Sequence, residues 1–161
     1  MQYIVNATFI INISRTNIGI IENIEIHTIN EIIEEVNDEL GIRIDEHVNI
    51  KTISSKISKG KLKISSSKRR YLSAVDIKLL NVAYVNKKKC ILVTDDKQVR
   101  TTAKGNSIKS YTTPQYIGYM IKNKLVTHNE GISFLNDLKE IYIRPKDIEA
   151  VLKRIKKWKV R

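Results

Sequence analysis

Apolar and polar residues alternate along the chain in blocks whose lengths suit strands and helices in turn. Residues 2–5 and 90–94 are mostly or wholly apolar, which is typical of strands buried on both faces of a parallel sheet. Between them, residues 29–40 carry apolar side chains at helical spacing up to Gly41, a common helix stop. This alternation predicts an α/β fold with a parallel sheet.

Two capping boxes mark the expected starts of helices. In residues 28–31 a Thr precedes a Glu by three positions, and in residues 73–76 a Ser precedes an Asp at the same spacing. In such a box each side chain satisfies a backbone amide of the other residue at the first helical turn. We therefore expect one helix from about 28 to 40 and a second that starts at Ser73.

Alternation, composition and proline assign most of the remaining chain. We expect strands over 42–53 and 107–111, and a mobile connection rich in Ser and Lys over 54–70. Pro114 and Pro145 each stand where the first turn of a helix is expected, a position that suits proline.

Length and composition favour one cytoplasmic domain without membrane contact. The chain has 161 residues, enough for a single domain over 1–161 with a proper core. No apolar run approaches the roughly 20 residues of a membrane span, and no basic leader precedes a cleavable apolar stretch. The lone cysteine, Cys90, cannot form an internal disulfide, which suits a reducing compartment.

The charge balance points to a polyanionic partner. There are 29 Lys and Arg against 17 Asp and Glu, which gives a formal net charge of +12 and a pI near 9.8. Nucleic acid is the commonest partner of such a surface. Several of these cations lie just before residue 76, where they could guide a phosphate backbone towards the acidic residues. Alternatively, they only keep a linker soluble. They are Lys61, Lys63, Lys68, Arg69 and Arg70.

Oxygen-bearing side chains fall where the expected strands end and where their helices begin. In a parallel sheet these positions gather at the carboxyl edge, where α/β proteins place their sites. The candidates are Asn6, Glu34, Glu35, Asp76, Asp95 and Asp96. A hard cation such as Mg²⁺ or Mn²⁺ is often held by a few carboxylates and water, and can activate water against a phosphodiester. The pattern therefore predicts a candidate site for phosphodiester hydrolysis.

Each acid also has a purely structural explanation. Asp76 could serve only as the capping partner of Ser73, and the pair Asp95–Asp96 could cap the following helix. Glu34 and Glu35 could belong to a solvated helix face. Taken one at a time, the acids leave both explanations open.

Four stretches resemble, in order and spacing, the motifs of the PIN-domain family of metal-dependent nucleases. They are "YIVNATFII", "TINEIIEEV", "YLSAVDIKLLNVAYV" and "ILVTDD". The tail, residues 113–152, is similar to the C-terminal region of a PIN subgroup related to VapC-type toxins. The resemblance covers nearly the whole chain and is weakest over 42–70.

This resemblance implies a three-layer sandwich, with a central parallel sheet of four or five strands flanked by helices, and Mg²⁺- or Mn²⁺-dependent cleavage of RNA. The family's acids match Glu35, or Glu34 in a shifted register, and Asp76, Asp95 and Asp96. Thr8 matches the hydroxyl residue near the first acid. The resemblance also implies RNA as substrate, a second copy in a homodimer, and an antitoxin protein that covers the acidic cleft.

Asn6 departs from the family pattern, because the first metal-binding Asp normally stands there. An amide oxygen can coordinate a hard cation but brings no charge, so affinity and nucleophile activation should both fall. The sequence leaves open whether Asn6 is natural or replaces an Asp of an active enzyme. We expect an endoribonuclease that is weak or inactive as given, and the toxin of a toxin-antitoxin pair is one form of this expectation. The alternative is a non-catalytic RNA-binding PIN domain in an RNA-processing or ribosome-assembly complex.

Overall fold

Five parallel strands form the centre of the fold. The structure is a computed structural model that describes residues 1–16, 24–56, 62–142 and 144–158. The strand order is β3-β2-β1-β4-β5. The strands are β1 (Gln2–Val5), β2 (Ile26–Thr28), β3 (Ile50–Thr52), β4 (Cys90–Val93) and β5 (Ser110–Tyr111). The predicted α/β class and parallel sheet are confirmed.

Helices flank the sheet and complete a three-layer sandwich. They are α1 (Ala7–Ser14), α2 (Asn30–Leu40), α3 (Ser66–Arg69), α4 (Ala74–Val85), α5 (Lys97–Gly105), α6 (Thr113–Lys122), α7 (His128–Lys139) and α8 (Pro145–Trp158). The chain moves outward from β1 through α1 and α2, then returns to β4 and β5 through α4 and α5. Because parallel crossovers are right-handed, the two helix pairs cover opposite faces. None of the helices in the described ranges is long and apolar enough to cross a membrane.

The central strands are as buried as their composition predicts. Ile4 and Val5 of β1 are fully buried, as are Ile91–Val93 of β4. The two strands pair in register from Gln2↔Cys90 to Val5↔Val93. One hydrophobic cluster contains these side chains and the buried faces of the helices. The carboxyl ends of β1 and β4 therefore stand side by side at one edge.

The expected capping box over 28–31 is wrong. Thr28 belongs to β2, and its hydroxyl donates a 2.7 Å hydrogen bond to the carbonyl of Val5. Helix α2 begins after Ile29, with no side-chain cap. This bond to the neighbouring strand occupies the Thr28 hydroxyl, which therefore does not cap α2. Three of the other expected features are confirmed: the box of Ser73 and Asp76, and the helices that begin near Pro114 and Pro145.

The expected strand over 42–53 is wrong for most of its length. Residues Ile44–Glu46 form a short 3₁₀ helix, and only Ile50–Thr52 join the sheet. The side-chain oxygen of Asn37 accepts a 2.8 Å hydrogen bond from the Ile44 amide and holds this turn against α2. The strand expected over 107–111 is likewise shorter, because only its last two residues pair with β4.

The connection expected to be mobile over 54–70 contains ordered structure near its end. Lys63 exchanges two backbone hydrogen bonds with the Asn106 side chain, at 2.7 and 2.9 Å, and helix α3 follows. The amide of Asn106 thus anchors residues that composition alone assigned to a loop. Residues 57–61, including the candidate Lys61, lie outside the described residues.

Candidate active site

Asn6 lies at the junction of β1 and α1, on the carboxyl edge of the sheet. Its backbone amide donates to the Val93 carbonyl at 3.1 Å, which ties it to the end of β4. Its side-chain oxygen accepts from the Thr8 hydroxyl at 2.7 Å and from the Phe9 amide at 3.3 Å. Asn6 is therefore buried and is the N-cap of α1. The Thr8 hydroxyl also accepts from the Asp95 amide at 3.2 Å, so the first and last motifs meet here.

The carboxylate of Asp95 is surrounded by donors from the protein. Asn12 donates to it from α1 at 2.9 Å, and the Thr113 amide at the start of α6 donates at 2.9 Å. The Thr113 hydroxyl and the Tyr142 hydroxyl donate as well. Four donors, two on each oxygen, fill the roughly four acceptor sites of one carboxylate. A metal ion at Asp95 would have to displace some of them.

Asp76 and Asp96 each use one carboxylate oxygen as a helix cap. Asp96 accepts the amides of Gln98 and Val99 at 2.6 and 2.9 Å, and Asp76 accepts the Ser73 amide and hydroxyl at 2.9 and 2.8 Å. The structural explanation is therefore real for both acids. It is also incomplete, because within the described part of the chain no donor reaches the second oxygen of either side chain.

Glu35 of α2 and Asp76 of α4 are near enough for their charges to interact. The pKa of Glu35 is raised above its ordinary value, first by partial desolvation of its carboxylate and second by the negative charge of Asp76. Glu35 is exposed as a whole residue, so the desolvation concerns the end of the side chain. Glu34 is also exposed, and no hydrogen bond or ion pair ties it to the described residues.

Sequence reasoning missed a bridge between α2 and α4 beside this pair. The Glu31 carboxylate accepts from Lys78 at 2.7 Å and from Ser55 at 3.0 Å. Glu31 lies one helical turn before Glu35 on the same face of α2, a spacing that could have linked the two acids. The sequence pattern assigned Glu31 to a capping box instead. The bridge links α2 to α4 near their N-terminal ends.

The expected gathering of all the acids at one point is met only in part. Among the residues that the structure describes, no group of three or more His, Cys, Asp or Glu side chains is arranged to hold a metal ion. Asn6 brings no charge, and Asp95 is saturated by protein donors. The described residues therefore do not complete a site for Mg²⁺ or Mn²⁺, and only Glu35 and Asp76 are linked by a charge interaction.

A cleft of ≈ 540 Å³ opens beside the end of β4. Thr8, Asp95 and Asp96 line it on one side, and Lys97 and Arg144 add positive charge. Arg144 is held there by its bond to the Asp95 carbonyl at 3.2 Å. An anionic group could therefore lie next to the acids at this edge.

The cations before the Asp76 helix are exposed to solvent. Four of these cations come shortly before the Ser73 cap and form no ion pair with the described acids: Lys63, Lys68, Arg69 and Arg70. Arg70 instead stacks over the ring of Tyr71, at 4.8 Å from its centroid. Their exposure fits contact with a phosphate backbone and equally a solvated surface.

Comparison with known proteins does not assign the chain to a family. Neither a scan against protein-family models nor a search of curated proteins finds a match to the chain. The functional argument therefore depends on the geometry of the candidate site.

Proposed function

We propose that the chain is a PIN-like, metal-dependent endoribonuclease that is weak or inactive as it stands, because Asn6 leaves its metal site one carboxylate short. The observation that carries this proposal is that the charge of Asp76 reaches Glu35 and adds to the rise of its pKa. These two acids come from α2 and α4, which the order of the chain places on opposite faces of the sheet.

Close carboxylates without a cation between them repel each other. A proton on one carboxylate, or a cation bound by both, relieves this repulsion. Lys78 pairs with Glu31 instead, so the one nearby cation on α4 is already engaged. Within the described part of the chain, Asp76 and Asp96 each keep one carboxylate oxygen that accepts no hydrogen bond. This arrangement supports a cation site better than a set of unrelated surface acids.

The structural role of Asn6 explains why an Asp would fit there. An Asp side chain can accept the same two hydrogen bonds from Thr8 and Phe9. Its negative charge also suits the first turn of a helix, where the dipole is positive. The missing charge can therefore be restored without rebuilding the N-cap of α1. A divalent ion bound there would polarise a phosphodiester and lower the pKa of a bound water.

The excess of positive charge supports RNA as the substrate. In the toxin form of the proposal, the partners are an antitoxin that covers the carboxyl edge and a second copy of the chain. The proposed location is the cytoplasm.

Asn6→Asp tests the proposal directly. We expect the variant to bind Mn²⁺ in isothermal titration and to cleave single-stranded RNA at least about 100-fold faster than the chain as given. Even second-layer partners of a metal change affinity or activity about 10–100-fold, and a direct ligand should do at least as much. If Asn6→Asp binds no metal and cuts nothing, the enzyme proposal fails.

Two matched variants control this experiment. Asn129→Asp adds the same charge at an exposed position of α7 and should leave the chain inactive. Asn6→Asp combined with Asp76→Asn should return cleavage to the original level. Activity that survives in the double variant would point to a contaminating nuclease.

The second candidate is a PIN-like domain that binds RNA without cutting it. The saturated Asp95 carboxylate and the missing three-acid group among the described residues favour it. Under this alternative, RNA binding is the same with and without a chelator, and Asn6→Asp remains inert.

A further inference from the structure

A second groove lies between α6, α8 and the end of β5. Its volume is ≈ 560 Å³, within the range of sites that hold small organic ligands. It shares no lining residue with the candidate active site. Three cations and three aromatic side chains define what we call the basic-aromatic groove: Lys109, Tyr111, Tyr119, Lys122, Arg154 and Trp158.

The charged side chains that line this groove are all positive. None of its described lining residues is acidic, although the chain carries 17 Asp and Glu. An acid in such a lining would pair with the cations and repel an anionic ligand. Lys109, Lys122 and Arg154 are exposed and form no ion pair within the described ranges. The groove therefore attracts an anion.

The aromatic rings are arranged around one of these cations. The Lys109 ammonium lies 5.3 Å from the ring centroid of Tyr111 and 5.8 Å from that of Tyr119. The two rings are 5.7 Å apart and tilted by 39°. Trp158 keeps 39% of its surface exposed. An indole in water at the rim of a cationic groove offers a flat face on which a base can stack.

The walls of the groove are held by close helix packing. A Cβ atom on Gly118 of α6 would lie 2.9 Å from a methyl group of Val151, so α8 approaches the backbone of α6 as closely as side chains allow. Val151 and Gly118 both line the groove. The groove is thus formed by two packed helices and not by a loop.

We propose that the basic-aromatic groove binds a segment of single-stranded RNA, with a base stacked on Trp158 and the phosphates held by Lys109, Lys122 and Arg154. Cations that follow the backbone, combined with aromatic faces for the bases, are the general means of binding single strands. An acidic peptide would use the cations and leave the exposed indole without a partner. The choice of RNA rests on the proposed function, but binding here requires neither a metal nor an Asp at position 6.

The fluorescence of Trp158 tests this proposal, because it is the only tryptophan of the chain. A single-stranded RNA decamer is titrated into the chain as given, with a chelator present. We expect saturable quenching that weakens with salt. Three phosphate contacts predict a slope of about −2 in log K against log salt concentration, at about 0.7 per contact for single strands.

Charge reversal identifies the site. Lys109→Glu with Lys122→Glu should weaken RNA binding at least about tenfold and lower the salt slope by about 1.4, from two lost contacts. The matched control, Lys88→Glu with Lys89→Glu, makes the same change of charge in the exposed turn after α4 and should lower affinity much less. Lys122→Glu alone is tested as well, because Lys122 is exposed and does not lie over a tyrosine ring as Lys109 does. This single variant should fold normally and still weaken RNA binding. All four chains are compared by thermal unfolding first.

Three outcomes overturn the proposal. RNA could bind, as shown by anisotropy of a labelled strand, without changing Trp158 fluorescence. The two double variants could lose affinity equally, which indicates a diffuse charge effect. Polyglutamate could quench Trp158 as strongly as RNA does, which indicates an acidic protein partner. Cleavage by Asn6→Asp tests the proposed function separately, so failure of one proposal leaves the other measurable.

Discussion

Hydrogen bonds to Asp95 connect three distant parts of the chain to the end of β4. Its carboxylate accepts from Asn12 of α1, from Thr113 of α6 and from Tyr142, which lies between α7 and α8. The burial of Tyr142 and its contact with Asp95 raise the pKa of the phenol well above its ordinary value, so the hydroxyl remains a donor. Hydrogen bonds to a charged group contribute about 1.5–3 kcal/mol each, more than neutral ones. Asp95 therefore acts first as a structural residue.

Asp95→Asn should destabilise the fold although it preserves the shape of the side chain. The amide group of Asn places a donor where the carboxylate had an acceptor, so it faces the donors around it. This should lower the free energy of unfolding by about 2–4 kcal/mol. For a chain of this length that lowers Tm by on the order of 10 °C. Calorimetry would measure it, with Asp137→Asn, an exposed acid of α7, as the control. An unchanged Tm would mean that the four contacts contribute little.

The raised pKa of Glu35 predicts a dependence of stability on pH. A carboxyl whose pKa is higher in the folded state than in the unfolded state binds its proton preferentially when folded. Its contribution is therefore lost as the pH rises from the ordinary value, about 4.3, through the raised value. Glu35→Gln should raise Tm at pH 7 by no more than a few degrees, since 1 kcal/mol corresponds to about 2–4 °C.

The same substitution should have no such advantage near pH 3, where both states hold the proton. Glu34→Gln is the matched control, because Glu34 is exposed and forms no hydrogen bond or ion pair with the described residues. Equal effects of the two substitutions at pH 7 would show that Glu35 and Asp76 do not interact.

The residues of the candidate site differ in how far the sequence predicted them. The box of Ser73 and Asp76 was predictable because its two partners lie three residues apart. The environment of Asp95 was not, since Tyr142 is 47 residues away and no local pattern links them. A motif marks an acid but does not say which donors surround it.

At the scale of the elements, helices α6 and α7 meet at a glycine. A Cβ atom on Gly131 of α7 would lie 2.4 Å from two side-chain carbons of Ile121 in α6. This is far inside van der Waals contact, and both residues are buried. The absence of a side chain at this point therefore sets the distance between the helices.

Gly131→Ala should destabilise the protein although alanine is the better helix former. Overpacking typically costs about 1–3 kcal/mol, which exceeds the gain in helix propensity of about 1 kcal/mol at most. Urea unfolding would measure the loss. Gly105→Ala, at the end of α5, is the control, because nothing lies within 4 Å of its added Cβ atom. Equal stability of the two variants would show that Ile121 can rotate away at no cost.

Predictions at this scale succeeded where the local signal had no competitor. Strands β1 and β4 follow from apolar runs, and helix α6 from the proline in its first turn. The segment 42–53 has strand-like alternation, but Asn37 of the preceding helix bonds to Ile44 and turns the chain. Such bonds from a neighbouring element override local pattern and are not visible in it.

At the scale of the whole molecule, a large net charge opposes folding. The formal charge of +12 is spread over a chain of 161 residues, and self-repulsion destabilises a compact state. The ion pairs found in the described part of the chain mostly join exposed side chains, for example Arg15–Glu39 and Lys139–Glu149. Exposed pairs contribute only about 0–1 kcal/mol each. Repulsion should therefore outweigh attraction at low ionic strength.

Salt should accordingly stabilise this protein. Raising NaCl from about 0.05 M to about 0.5 M shortens the Debye length severalfold and screens the repulsion, so Tm should rise. Lys88→Glu with Lys89→Glu lowers the formal charge by 4, from +12 to +8. This variant should start from a higher Tm at low salt and gain less from added NaCl. A Tm that falls with salt in the unsubstituted chain would mean that its ion pairs outweigh the repulsion. NaCl is used because chloride binds weakly, whereas a polyanion would stabilise the chain by binding to it.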